Sequence, residues 1–224
     1  MAKENINQSA PVEETLNVQE SLFLKYKKAI IGGVVAVVVI IAGAIVYKNY
    51  IAAPREAKAS TILAKGQDYF NNGDFEKALK GDKKDFPGFE AVASEYSSTD
   101  AGNLANLYAG LCYAQTGKWQ EAANCIEKFS AQDDQMISPA AEAALGNVYA
   151  HLNQLDKAVS CLKSAAKKAD NNSLSPTFLI QAGEILESQG KADEALKCYQ
   201  EVKDKYFNSM AYQTIDKYIE RVTK

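Results

Sequence analysis

Few residues in this chain could do chemistry: four cysteines and one histidine, His151, among 224 residues. One imidazole leaves no His-pair metal site and a single candidate base for a triad, and no serine stands in a G-x-S-x-G frame. The cysteines lack the C-x-x-C spacing of a dithiol couple or a zinc knuckle. Neither a G-x-x-x-x-G-K-[ST] phosphate loop nor a G-x-G-x-x-G fingerprint is present. Asp133 and Asp134 read as part of a connecting loop, and Asn171-Asn172-Ser173 matches a glycosylation acceptor too short to carry meaning. The expectation is a protein without catalysis, metal or cofactor.

The cysteines carry a different message. Cys125, Cys161 and Cys198 each follow an alanine by three residues, so they hold one position of a recurring unit, with Cys112 on the helix before the first of them. Equivalent positions of stacked helical units lie about 10 Å apart, beyond the roughly 7 Å that a disulfide spans. Burial as small hydrophobes is the expected role.

The unit is legible in "GQDYFNNGDFEKAL" (66–79), "GLCYAQTGKWQEAANCI" (110–126), "GNVYAHLNQLDKAVSCL" (146–162) and "GEILESQGKADEALKCY" (183–199). Each begins with a glycine twelve residues before an alanine: Gly66 and Ala78, Gly110 and Ala122, Gly146 and Ala158, Gly183 and Ala195. Tyr69, Tyr113, Tyr149 and Leu186 come three residues after the glycine, and Gly73, Gly117, Asn153 and Gly190 come seven after it. The spacing predicts helical hairpins. Small residues allow two helices to cross closely, and Gly or Asn ends the first helix in the left-handed conformation.

This pattern resembles the tetratricopeptide repeat family, whose 34-residue unit carries small residues at its eighth and twentieth positions. The family tryptophan is missing, with Ile62, Asn106, Glu142 and Leu179 in its place, and successive glycines are 44, 36 and 37 residues apart. The longest interval holds "LKGDKKDFPG" (79–88), where Gly81, Pro87 and Gly88 break the second helix. A short helix at 75–80, a loop and a helix at about 87–96 are expected, with Phe89 and Val92 in core places. The units span about 59–98, 103–134, 139–170 and 176–207 within a repeat region of 58–207, and 208–224 forms a capping helix with Ala211, Ile215, Tyr218, Ile219 and Val222 on one stripe.

The resemblance implies a concave groove lined by the first helix of each unit. Carried over by position, the candidate binding residues are Leu63, Gln67 and Phe70; Leu104, Leu107 and Leu111; Asn147 and His151; and Ile180 and Glu184, with Asn71, Gln115, Ala143, Ala150, Glu187 and Ser188 at the remaining positions. Leu104, Leu107 and Leu111 make an i, i+3, i+7 stripe that would hold an apolar segment if it is open. The asparagines and lysines with which some relatives grip a carboxylate tail are absent except for Asn147.

The N-terminal part has another composition. Residues 1–20 are polar and read as a disordered tail, within a juxtamembrane section of 1–28. Residues 29–46, "AIIGGVVAVVVIIAGAIV", carry no charge and stand between Lys25, Lys27, Lys28 and Tyr47, Lys48, Tyr50. As a helix this run is roughly 27 Å long, enough for a bilayer core of about 30 Å. A single uncleaved membrane helix over 29–47 is expected, then a linker or helix extension over 48–57. Three basic residues flank each side, so charge alone gives no orientation; a short tail inside and an exported C-terminal part is the simpler arrangement. From Arg55 onward 24 acidic residues outweigh 20 basic ones, which argues against nucleic acid as a partner.

The fold class is therefore all-α: one N-terminal transmembrane helix, a tetratricopeptide-type α-solenoid of about four hairpins, and a C-terminal capping helix. This layout resembles the YfgM-like family of bacterial inner-membrane proteins. That resemblance implies a non-enzymatic interaction module near the Sec translocon, with translocon subunits, periplasmic chaperones or exported chains as partners and the repeats in the periplasm. A structural scaffold of an envelope complex, with self-association, and a membrane-bound cytoplasmic adaptor are the alternatives.

Overall fold

A computed structural model describes residues 10–224, with side chains from Lys25 onward, so the expected tail of residues 1–9 lies outside the described residues. The chain divides into two compact units, Met1–Pro54 and Arg55–Lys224.

In the first unit, helix α1 covers Ala10–Tyr47. The stretch from residue 10 to 20, expected as disordered tail, is helical instead. Pro11 in the opening turn has the fixed φ that a helix start uses, and no glycine interrupts the run before Gly32. Among the described residues one helix is long and apolar enough to cross a membrane. Its valines and isoleucines between Ile30 and Val46 are all exposed. A π-helical turn at Lys48–Ala52 follows, and α2 (Ala53–Asn71) begins immediately. Pro54 explains the widened turn, because its ring would strike the carbonyl four residues back in a regular α-helix.

The second unit is built from hairpins. Helix α2 is followed by α3 (Phe75–Lys80) and α4 (Phe89–Glu95), then α5 (Asp100–Gln115) pairs with α6 (Trp119–Ile126). Helix α7 (Ile137–His151) pairs with α8 (Leu155–Ala169), and α9 (Ser175–Ser188) with α10 (Ala192–Lys205). A 3-10 turn at Met210–Gln213 leads into α11 (Ile215–Thr223). From α3 on, each helix packs on its neighbours in sequence, α3 on α4, α4 on α5, and so on to α10 on α11.

The repeat positions act as their spacing predicts. Ala78, Ala122, Ala158 and Ala195 are fully buried. A Cβ on Gly110 would approach Ile126 to 2.4 Å, and one on Gly183 would meet the Tyr199 ring at 2.3 Å. Gly73, Gly117, Asn153 and Gly190 all have positive φ. After each, the next amide donates five residues back, as in Asp74 to Tyr69 (2.9 Å) and Lys118 to Tyr113 (2.9 Å). That closes the last turn of the first helix and aims the chain back along it.

Phe89 and Val92 are fully buried, as the interrupted second helix of the first unit requires. The intervening loop is ordered by one carboxylate. Asp82 Oδ1 accepts from the amides of Lys84, Asp85 and Phe86 (2.9, 3.0 and 3.0 Å), while Tyr69 donates to its Oδ2 (2.8 Å). These bonds hold the Asp82 carboxyl far below its ordinary range, the backbone bond from Phe86 contributing most. Phe86, fixed in this way, closes over Gly66.

Candidate functional site

Loop and helix signals position the concave side of the repeats. Asp134 ends the connection into α7 by accepting from the amides of Met136 (2.8 Å) and Ser138 (3.2 Å), and the Ser138 hydroxyl donates to it (2.6 Å). That hydroxyl contact leads the causes that lower the carboxyl's pKa. Glu56 of α2 accepts from Asp100 and Ala101 (2.7 and 3.0 Å) at the start of α5, a carboxylate against the positive end of a helix. The Asn171 side chain donates to Ala169 and Gln135 and accepts from Ser173 and Leu174. Those four bonds occupy the amide that glycosylation would need.

Between α2, α5 and α7 lies an apolar concavity of about 540 Å³. Leu104, Leu107 and Leu111 form one wall with Phe70 and Tyr108, and Met136, Ile137, Ala140, Ala144 and Leu174 complete it. Gln67 is at its edge and donates to the Tyr108 hydroxyl (3.0 Å). No residue of the 79–88 loop lines this pocket. A second concavity of about 500 Å³ between α7 and α9 carries polar side chains among apolar surface, lined by Asn147, Ala150, His151, Gln181, Glu184, Ile185 and Ser188. His151 stacks on Trp119 with parallel rings 3.7 Å apart.

Of the ten candidate residues, eight line one or other pocket: Gln67, Phe70, Leu104, Leu107 and Leu111 the first, Asn147, His151 and Glu184 the second. Leu63 does not. It is 6% exposed and packed in the core, because α2 turns that face toward the hairpin interior. Ile180 is half-buried against the second core cluster and lines neither pocket. Leu107 is only 7% exposed and belongs to the core as much as to the groove. Glu187 is also withdrawn. Arg221 of α11 donates to both its oxygens (2.7 Å each) and the Tyr199 hydroxyl donates to it as well, so the carboxyl titrates below its usual range, with Arg221 the chief cause.

The position-by-position reading missed Tyr108, Met136, Ile137, Leu174 and Gln181. Met136 and Ile137 are 55% and 50% exposed, and their only signal in the sequence is a pair of large apolar residues closing the polar run "SAQDDQ". The repeat tyrosines also do more than fill space. Tyr113 donates to Glu90 and Tyr149 to Glu127 (2.6 Å), each reaching the preceding unit. The bond to Glu127 pushes the Tyr149 phenol up to about 12.

All four cysteines are free. Cys112 and Cys198 are buried, Cys125 and Cys161 half-buried, and burial alone pushes the Cys112 thiol up to about 12. Thiols raised by desolvation are poor nucleophiles and poor metal ligands.

These features define a helical-repeat solenoid with a concave face suited to holding another polypeptide. The tetratricopeptide repeat-like domain family matches residues 21–222, and the chain belongs to that family. Its fold is similar to that of a kinesin-light-chain-type protein of Podosopora anserina with nearly identical TPR-like repeats, at a TM-score of 0.58 and 13% identity over 75% of this chain and 86% of the other. It is also similar to the MamA protein, at a TM-score of 0.54 and 16% identity over 73% of this chain and 89% of the other. Comparison with curated protein sequences gives no match.

Proposed function

We propose that this protein is a membrane-anchored docking module, in which the apolar concavity holds a segment of a partner protein without chemical turnover. The observation that carries this reading is the cluster of Leu104, Leu111, Met136 and Ile137 around one open pocket. Open apolar surface of this kind is unfavourable in water unless a partner covers it. The exposed apolar belt of α1 supports anchoring, because lipid is the environment in which such a surface costs nothing.

The layout, which resembles that of the YfgM-like family, extends the proposal. The anchor holds the repeats beside the Sec translocon at the bacterial inner membrane, with the N-terminus in the cytoplasm and the repeats in the periplasm. There they receive exported chains or pass them to chaperones. A second reading, a scaffold that joins copies of itself, draws on the exposed Phe207, Met210 and Tyr212 near the C-terminus.

A photoreactive residue at Met136 tests the first reading. That position is exposed and lines the pocket, whereas Leu107, the centre of the leucine stripe, is too buried to substitute safely. Crosslinks to translocon subunits, chaperones or exported chains, with the repeats shielded from cytoplasmic protease, are expected. Crosslinks only to its own copies would favour the scaffold, and crosslinks only to cytoplasmic proteins would transfer the role to an adaptor.

A further inference from the structure

The two pockets are joined by one stripe of α7. Ala140 and Ala144 line the first pocket, and Asn147 and His151, at i+7 and i+11 from Ala140, line the second. That stripe rises about 16 Å, the length of eleven helical residues or about five extended ones. Both ends are therefore within reach of one short peptide.

The ends differ in charge. Among the described residues, no lysine or arginine lines either pocket, and the one carboxylate is Glu184, which is exposed. Beside it Gln181 Oε1 is buried with no hydrogen-bond partner. An unpaired buried acceptor costs free energy that a donor from outside would recover. Glu187, one turn further along α9, is already neutralised by Arg221 and leaves Glu184 as the free anion.

We propose that the occupant is a peptide segment with an apolar block flanked by lysine or arginine. Its apolar side chains fill the pocket of Leu104, Leu111, Met136 and Ile137. Its cation meets Glu184 and donates toward Gln181. The assignment rests on the docking function proposed above and adds the polarity of the ligand. An acidic flank finds no cation in the groove and faces the Glu184 carboxylate instead.

The test uses the full chain in nanodiscs of zwitterionic lipid, so that the lipid itself does not attract basic peptides. Three fluorescent 14-residue peptides share one leucine-rich block and end in two lysines, two glutamines or two glutamates. Anisotropy is expected to rank them in that order, with about a fivefold gain for lysine over glutamine that shrinks as salt is raised. Trp119 emission should change on binding, since His151 stacks on that ring and lines the pocket. Glu184→Lys should reverse the ranking while leaving the melting temperature in place. If the three peptides bind equally, or Glu184→Lys leaves their order intact while Met136→Asp still weakens all of them, the charge assignment is wrong and the docking groove stands. If none binds, both are wrong.

Discussion

At the scale of single residues, the repeat glycines separate into two kinds, as their spacing predicts. Gly183 is glycine because a Cβ would enter the Tyr199 ring at 2.3 Å. Gly183→Ala should therefore destabilise by about 1–3 kcal/mol, read as a melting temperature lower by several degrees. The turn position has open space and a positive φ instead, and Asn153 occupies it where the other three units have glycine. Asn153→Gly should stabilise by up to about 1 kcal/mol in the same melt, an effect opposite in sign. Cys112 gives a third residue-scale expectation. With its thiol pushed up to about 12 by burial, it stays protonated at pH 8, and iodoacetamide should label it at least about tenfold more slowly than the half-buried Cys161 in the native chain. A thiol raised in the folded state adds stability that is complete below its unfolded pKa and is lost as pH climbs above it.

At the scale of elements, the insertion in the first unit is a built part of the repeat. The 81–88 loop replaces one turn of helix with three amides bonded to Asp82, and it delivers Phe86 onto Gly66 in place of a second-helix side chain. A carboxyl lowered in the folded state contributes stability above its unfolded pKa, near 3.8 here, and loses it as pH falls below that value. The wild-type melting temperature should therefore drop faster than that of Asp82→Asn between about pH 4 and 2, and at neutral pH the variant should be the less stable of the two. Breakers at Gly81, Pro87 and Gly88 announced the interruption. That Asp82 would order the loop through Tyr69, thirteen residues earlier, is a contact between side chains that no local pattern encodes.

At the scale of the whole molecule, the repeat unit behaves as a stack whose stability is passed between neighbours. Ile215→Ser, at a site 1% exposed under α11, should raise amide exchange in α10 and α11 and leave α5 and α6 close to the wild type. Met136→Asp and Ile137→Asp should weaken partner capture by at least tenfold with little change in melting temperature, because both side chains are half in solvent before a partner arrives. Leu107→Asp would instead unfold the second unit, since a charge at a site 7% exposed finds no counter-ion there.

What the sequence determined by itself was everything that repeats or has a period. The four small-residue pairs, the four turn positions, the apolar run of 29–46 and the break at 79–88 are local patterns, and backbone sterics or hydrophobic length fixes what each must become. Tertiary structure decided which groove positions stay open. Phe70 and Glu187 are equivalent in the repeat, each four residues after its glycine, yet one lines a pocket and the other is held by Arg221, because exposure depends on the element that packs opposite, and α9 has α11 beside it. The same reason brings Met136 and Ile137, at the start of α7, and Leu174, just before α9, to one cavity. Neither outcome follows from spacing, since both depend on pairs of residues brought together only when the hairpins stack.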